Sequence, residues 1–235
     1  MVNLKERSSA KELLDGDDIP FDDIKQNMKE LNSINTFLGG HGITLAGVKA
    51  ILKRLPANKV ITICEIGCGG GDNLRAINSW CNKNKIPVQF IGIDIKKECI
   101  DFAKSQCAYL DAVWIQNDYA SATFVTTKPD IIFTSLFCHH FNNKDLVIML
   151  RWMKLNCSKG FFINDLHRHP LAYYSIRWIT KLFSSSYLVK NDAPLSVARS
   201  FTRNDWQTLF DITDIKNYTI QWKWAFRYLI IYSNE

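Results

Sequence analysis

The sequence lacks the features of a membrane, secreted or disordered protein. No stretch of about 18 apolar residues without charges occurs in its 235 residues, so we expect no membrane-spanning helix. The N-terminal segment 1–7 turns to charged residues instead of continuing as an apolar run, so we expect no secretory signal. Hydrophobic residues make up 47% of the chain and charged residues 22%, which excludes wholesale disorder. The length fits one full domain with an appendage.

The cysteines also lack the pattern of a disulfide framework or of a zinc site. They are seven, an odd number, and most lie inside apolar runs, as reduced thiols do in a cytoplasmic protein. Cys64 and Cys68 are close in sequence, but no cluster of His or Cys near them would complete a zinc site. We therefore expect a cytoplasmic protein that holds no metal ion.

The net charge of +6 is distributed unevenly. Residues 1–35 contain eight acids and five bases, whereas residues 151–205 contain nine bases and three acids. A basic stretch of this kind can face nucleic acid, an anionic membrane surface, an anionic substrate or only solvent. Charge alone leaves these four interpretations open.

Short apolar runs alternate with amphipathic segments between residues 59 and 165. The runs predict strands at residues 59–66, 89–94, 112–117, 130–135 and 160–165. Strand and helix in alternation are typical of a parallel sheet with helices on both faces. Two further β-like runs, at 215–222 and 225–233, are joined closely enough to predict an antiparallel hairpin. The fold class is therefore α/β, with seven strands in a mostly parallel sheet and a C-terminal hairpin.

The N-terminal part follows a different pattern. Residues 1–20 form an arm without apolar periodicity, and apolar spacings of three and four predict a helix at 21–38. Gly39 and Gly40 are expected to end that helix, and a second is predicted at 44–55, before Pro56. The chain thus divides into a helical extension, 1–55, and a main domain, 56–235.

A glycine-rich loop follows the first predicted strand of the sheet. It contains Glu65, Gly67, Gly69 and Gly71 in the pattern E-x-G-x-G-x-G, ahead of a helix that begins near Asp72. Such a loop lets the backbone approach a ligand closely, and the helix N-terminus favours an anion or a polar group. A dinucleotide fingerprint would need glycine at position 72, and a P-loop would need a lysine, so both are excluded.

Acidic residues end the next two strands. Asp94 lies 23 residues after Gly71, where a carboxylate can accept both hydroxyls of a ribose, and Asp118 is placed to meet an exocyclic amine of adenine. With these motifs in order, residues 58–165 resemble the class I S-adenosylmethionine (SAM)-dependent methyltransferases. The double histidine at 139–140 is similar to that of ubiquinone/menaquinone-type enzymes. The segments at 34–40, 165–168 and 196–201 resemble methyltransferases encoded beside type III polyketide synthases.

The resemblance implies a Rossmann-like fold with SAM as the cofactor. Ten residues are expected to bind the cofactor, nine implied by the resemblance and one, Glu65, taken from the glycine motif. They are Glu65, Gly67, Cys68, Gly69, Asp94, Ile95, Asp118, Tyr119, Ser135 and His140. Residues 1–55 are expected to cover the site, and the aromatic and basic insertion at 166–201 is a candidate lid over the substrate, with core packing as its alternative.

Candidate catalytic residues follow from the chemistry of methyl transfer. The reaction needs alignment, exclusion of water and, for a phenolic acceptor, a base, for which histidine is suited. We therefore expect His140 and His167 to be catalytic, with Asp165 or Arg168 orienting the acceptor. The expected acceptor is a small aromatic, polyketide-like or quinone-like molecule. The alternatives are an RNA or protein acceptor and a scaffold that binds cofactor without turnover. Nucleic acid is disfavoured, because the chain contains no recognisable RNA-binding module.

Overall fold

The computed structural model describes residues 2–16, 19–53, 59–124 and 128–234. An extended arm with one 3₁₀ turn (Leu13–Asp15) precedes two helices, and strands then alternate with helices. The eight helices of the described residues are α1 (Phe21–Phe37), α2 (Gly40–Leu52), α3 (Asp72–Lys83), α4 (Lys97–Gln106), α5 (Asn143–Asn156), α6 (Pro170–Phe183), α7 (Tyr187–Arg199) and α8 (Arg203–Thr213). The strands are β1 (Ile61–Ile66), β2 (Val88–Asp94), β3 (Ala112–Gln116), β4 (Ile131–Ser135), β5 (Gly160–Leu166), β6 (Tyr218–Lys223) and β7 (Arg227–Ser233).

The seven strands form one sheet in the order β3-β2-β1-β4-β5-β7-β6. The first five pair in parallel, whereas β7 pairs antiparallel with both β5 and β6. This confirms the predicted Rossmann-like α/β fold and its C-terminal hairpin. Because the chain order reverses between β1 and β4, a crevice opens at the carboxyl ends of these strands, where such folds bind ligands.

Two apolar clusters hold the sheet between its helices. One face of the sheet packs on α2 and α3 through residues such as Val48 and Leu74, and the other packs on α5 and α8 through residues such as Met149 and Trp206. Gly47 brings α2 close to the sheet, because a Cβ at that position would lie 2.5 Å from the ring of Phe162. The core is thus continuous on both sides of the strands that end at the crevice.

The second helix begins earlier than predicted. Gly39 takes a left-handed conformation, with φ of 75°, and precedes a helix that runs from Gly40 rather than from residue 44. The two glycines therefore separate α1 from α2 over a single tight turn, since glycine adopts positive φ without a Cβ penalty. The predicted end of this helix at residue 55 and Pro56 lie outside the described residues.

The insertion at 166–201 consists of two helices, α6 and α7, that pack on each other. The turn before α8 has a capping pair, in which Thr202 and Asp205 each bind the backbone of the other. All seven cysteines are buried free thiols, and burial raises the pKa of each of them. No described helix is both long and apolar enough to cross a membrane.

Candidate functional site

The glycine-rich loop joins β1 to α3 at the crevice. Gly67, Gly69 and Gly71 all have positive φ, between 49° and 74°. A Cβ at Gly67 would lie 2.2 Å from the ring of Phe137, so only glycine fits there. No described heavy atom lies within 4 Å of the place where a Cβ of Gly69 would stand. The middle of the loop therefore faces open space, as a backbone that meets a ligand must.

Asp94 fastens this loop from the end of β2. Its Oδ2 accepts a hydrogen bond from the amide of Gly69 at 2.9 Å, and its Oδ1 accepts one from the amide of Lys96 at 3.0 Å. Burial raises the pKa of Asp94, although these two amide donors oppose the rise. The carboxylate thus positions the loop and keeps further lone pairs for a ligand.

A cavity of about 440 Å³ opens beside the loop, a size typical of small-molecule sites. The residues around it come from the carboxyl ends of β1, β2 and β4, from the segment after β3, and from the N-terminal extension. All ten residues expected to bind cofactor line it, namely Glu65, Gly67, Cys68, Gly69, Asp94, Ile95, Asp118, Tyr119, Ser135 and His140. The structure therefore brings together residues that span 76 positions of sequence, from 65 to 140.

Helix α1 and the arm contribute lining residues that the sequence reasoning missed. Asn27, Asn32 and Asn35 of α1 face the cavity with Met28 and Leu31, as do Leu14 and Asp15 of the arm. Asn27 is 1% exposed, and neither its amide nitrogen nor its oxygen has a partner among the described residues. A buried amide without a partner at a cavity wall is suited to bind a polar ligand group. The signal available was the polar residue on an otherwise apolar helix face.

The arm is fastened to the main domain by arginines. Arg199 binds the carbonyl of Ala10 and lies 3.3 Å from Asp15, and Arg168 binds the carbonyls of Leu4 and Lys5. Arg168 also pairs with Asp205 at 3.0 Å and does not line the cavity. It therefore holds the arm in this structure, a task different from the predicted orientation of an acceptor.

Helix α7 supports the arm at the 3₁₀ turn. The two carboxylate oxygens of Asp192 accept hydrogen bonds from the amides of Leu13 and Leu14, and Ser196 donates to Glu12. No residue of 166–201 is among those that line the cavity. The insertion therefore contacts the arm, and the arm and α1 supply lining residues of the cavity.

Two adjacent histidines and three carboxylates form a network between the arm and the sheet. Nδ1 of His139 lies 2.8 Å from Asp165, and Nδ1 of His140 lies 2.9 Å from Asp15. The Nε2 atoms of the two rings both face Glu12, at 3.7 and 3.8 Å. His140 lines the cavity, whereas His139 and Asp165 lie behind it. Of the five residues of this network, His140 and Asp15 are therefore the two that line the cavity.

The carboxylates of this network differ in their acidity. Burial raises the pKa of Glu12 to about 7, against the opposing charge of His140. Burial would also raise the pKa of Asp165, but the charge and the hydrogen bond of His139 outweigh it and the pKa is lowered. These Glu and His atoms are close enough to hold a metal ion. Arg199 lies 3.9 Å from Glu12, however, and supplies a positive charge, so we interpret the cluster as an acid–base network.

His167 lies apart from the cavity. Its backbone pairs with Phe201 and Phe226, and its ring lies 4.9 Å from that of Tyr228. Burial, with the neighbouring charges of His169 and Arg168, lowers its pKa to about 4. The structure does not bring His167 together with His140 at the cavity.

The comparisons with known proteins agree with this geometry. Residues 63–160 match a family model described as a methyltransferase domain. That segment begins in β1, contains the glycine-rich loop and Asp94, and ends at β5. No curated protein matches the sequence. The match covers 98 of the 235 residues and lies within the parallel part of the sheet.

Solved structures extend the likeness of the fold beyond the methyltransferase domain. The plantazolicin methyltransferase BpumL, in complex with SAH (S-adenosylhomocysteine), is 18% identical, covers 92% of this chain and 88% of its own, and has a TM-score of 0.60. The magnesium protoporphyrin IX methyltransferase ChlM from Synechocystis PCC 6803, with bound SAM, is 11% identical over 87% of this chain and 84% of its own, with a TM-score of 0.55. BpumL was crystallised with SAH and ChlM with SAM, and at these identities the likeness shows the fold.

Proposed function

We propose that this protein transfers the methyl group of SAM to a small aromatic or apolar acceptor. The observation that carries the proposal is the cavity, which collects all ten expected cofactor-binding residues beside a loop that matches a methyltransferase domain. The same arrangement supports a transferase more than a scaffold, because a histidine with a carboxylate partner also lines this cavity.

The residues present fit SAM. The open side of Gly69 leaves room for a ligand against the backbone, and Asp94 stands where a ribose would meet the loop. Glu65 is fully buried, its Oε2 has no partner among the described residues, and its Oε1 accepts from Asn73. A buried carboxylate oxygen at the cavity wall is suited to hold the ammonium group of an amino acid. We assign Glu65 and the loop amides to the methionine part, and Asp118 with Tyr119 to the base.

When bound, SAM supplies an electrophilic methyl group on a sulfonium, so the protein has to orient an acceptor and move at most one proton. We assign proton acceptance to Nε2 of His140. Asp15 binds Nδ1 of the same ring and fixes both its tautomer and its orientation, which leaves Nε2 as the basic nitrogen. The assignment rests on His140 rather than on His167, because His140 lines the cavity.

His139 and Asp165 act behind His140 as positioning residues. Their hydrogen bond fixes the 3₁₀ turn Cys138–His140, and Arg199 binds the carbonyls of both histidines. Residues of the arm and α1 line one side of the cavity. We propose residues 1–55 as the cover of the site on this basis.

Apolar side chains dominate the part of the cavity near His140. Leu14, Leu31, Phe137 and Phe141 line it with Tyr119. Such walls suit an apolar or aromatic acceptor. We propose a phenolic acceptor of the quinone-like or polyketide-like kind, methylated in the cytoplasm. No described feature favours RNA or protein as the acceptor.

Calorimetric titration with SAH tests the cofactor part of the proposal. We expect micromolar binding, no binding of NAD, and a loss of about tenfold or more in affinity for Asp94→Ala, because the variant loses the hydrogen bond from Gly69 that sets the loop and the one from Lys96 beside it. Asp111→Ala is the matched control, since Asp111 is an exposed strand-end acid away from the cavity. Absence of SAH binding would remove the proposed activity.

Transfer from labelled SAM to a panel of phenols then tests the acceptor. Methylated phenol that depends on His140 supports the proposal. Quinols, RNA and proteins are tested in the same assay. SAH binding without methyl transfer to any of these acceptors or to a phenol would instead assign the chain to the scaffold class.

A further inference from the structure

Helix α6 leaves a row of large apolar side chains uncovered. They recur at intervals of three or four, which places them on one side of the helix. We call this set the α6 face; its residues and exposed fractions are Leu171 (62%), Tyr174 (44%), Trp178 (60%) and Leu182 (68%), with Phe183 (82%) at the helix end. The other side of α6 is buried through Ala172, Tyr173 and Thr180. One side of α6 therefore packs against the protein, and the other side is exposed to solvent.

An aromatic turn adjoins the first residues of this helix. Phe226, between β6 and β7, stacks on the ring of His169 at 5.2 Å, directly before α6 begins. The same turn contains Trp224, which is 70% exposed and lies 6.3 Å from Phe226. Exposed apolar surface thus continues from the helix to a second element, which is more than the scattered single residues of an ordinary surface.

Basic side chains flank the α6 face. Arg177 and Lys181 are exposed on the same helix, and Nζ of Lys181 lies 5.6 Å from the centre of the Trp178 ring. No Asp or Glu occurs between Asp165 and Asp192. Trp and Tyr with flanking Lys and Arg are the composition of helices that lie at a membrane interface, and anionic lipid attracts such cations.

We propose that the α6 face and Trp224 dock this protein on an anionic lipid surface, with α6 lying in the plane of the interface. The helix has 14 residues, a length of roughly 21 Å, so it can lie along a bilayer but cannot cross one. The flanking cations reach the headgroups while the apolar side chains enter the acyl boundary.

A second copy of the chain is a poorer occupant of the same face. In a two-fold symmetric dimer through α6, Arg177 and Lys181 of each copy would face their own equivalents. The segment between Asp165 and Asp192 supplies no carboxylate to compensate them. Like charges brought together in this way disfavour the pairing.

Co-sedimentation with lipid vesicles tests the proposal and requires no methyl transfer, so its result is separate from that of the proposed function. We expect the full chain to bind phosphatidylcholine vesicles that contain phosphatidylglycerol, to bind pure phosphatidylcholine less, and to lose binding as salt rises. A wild-type chain that stays in the supernatant with both vesicles would overturn the proposal.

Two variant pairs assign the binding to this face. Trp178→Ser with Leu182→Ser should lower partitioning at least about tenfold, since it removes two large insertable side chains. The control is Ile148→Ser with Leu155→Ser on α5, which are 56% and 67% exposed and should leave binding unchanged. Equal effects of the two pairs would contradict the assignment.

The charge contribution has its own matched pair. Arg177→Glu with Lys181→Glu should weaken binding to anionic vesicles roughly 25-fold or more, because each cation near the surface contributes about fivefold. Lys83→Glu with Lys104→Glu makes the same change in net charge on α3 and α4, and we expect less than about a threefold loss from it. Light scattering tests the alternative of a dimer. If the wild-type chain is a dimer that does not bind vesicles, and Trp178→Ser with Leu182→Ser makes it a monomer, the α6 face binds a second copy and the proposal fails.

Discussion

Nδ1 of His139 and Oδ1 of Asp165 lie 2.8 Å apart, and the two side chains are 3% and 0% exposed. Asp165 is the penultimate residue of β5, and His139 lies in the turn that follows the neighbouring strand β4. This pair therefore joins two adjacent strand ends directly behind the cavity.

Breaking this pair is expected to destabilise the fold and slow turnover together. Asp165→Asn removes a carboxylate whose pKa is lowered by His139, and loss of one partner from a buried pair costs about 3 kcal/mol. Urea unfolding of Asp165→Asn, His139→Gln and the double variant measures the coupling. Strict additivity of the two single effects would show that the pair does not act as a unit.

Glu12 makes stability depend on pH near neutrality. Its pKa is raised from 4.5 in the unfolded chain to about 7 in the folded protein, so the folded protein holds this proton more tightly. Its stabilising contribution is complete below pH 4.5 and is lost as pH rises through 7. We expect Glu12→Gln to be more stable than wild type at pH 8 by up to about 3 kcal/mol, and equally stable near pH 4.5.

Thermal unfolding between pH 4.5 and 8 measures this difference. Glu6→Gln serves as the control, because Glu6 is an exposed carboxylate on the same arm. Parallel pH curves for wild type and Glu12→Gln would contradict the raised pKa.

Gly67 should tolerate no side chain. Gly67→Ala adds a Cβ at positive φ and 2.2 Å from the ring of Phe137, so we expect a loss of about 2–3 kcal/mol together with weaker SAH binding. Gly42→Ala is the control, since Gly42 lies in α2 with open space around it, and alanine favours a helix there by about 1 kcal/mol. Chemical denaturation of both variants, with SAH titration, decides the point; equal stability of the two would refute the packing argument.

The two candidate bases should differ in their effect on turnover. His140→Asn is expected to lower kcat about 100-fold or more while leaving the SAH affinity within a few fold. His167→Asn should retain most of the activity, because His167 stands away from the cavity. The rates need a phenolic acceptor found in the panel, and a reversed order of the two variants would return the catalytic role to His167.

The cofactor side of the cavity could be predicted because it is local. Each strand is a short apolar run, and a residue at its end, such as Asp94, or just after it, such as Asp118, must stand at the carboxyl edge of a parallel sheet. Fold and loop position follow from that periodicity alone. The resemblance to class I SAM-dependent methyltransferases then implied which residues near these strand ends bind cofactor, and all ten of them line the cavity.

The rest depends on long-range packing that a pattern of residues does not encode. Asn27 lies on the apolar side of an amphipathic helix, but only the placement of α1 beside the cavity shows what its side chain faces. Glu12 and Asp15 lie more than 120 residues before the histidines that they face. His167 follows a strand end as His140 does, yet its backbone pairs with Phe201 and Phe226, and this pairing fixes it away from the cavity.

The seven cysteine thiols are buried, and their raised pKa keeps them protonated. Their reaction with a labelling reagent can therefore show where the folded structure opens. A labelling reagent reacts with thiolate, so in the intact protein uptake of label can proceed only as fast as the structure exposes each cysteine. Those on different elements, such as Cys81 on α3 and Cys157 after α5, then record which part of the sheet separates first. Cys68 and Cys99 line the cavity, so a ligand that fills the cavity should slow the modification of these two thiols.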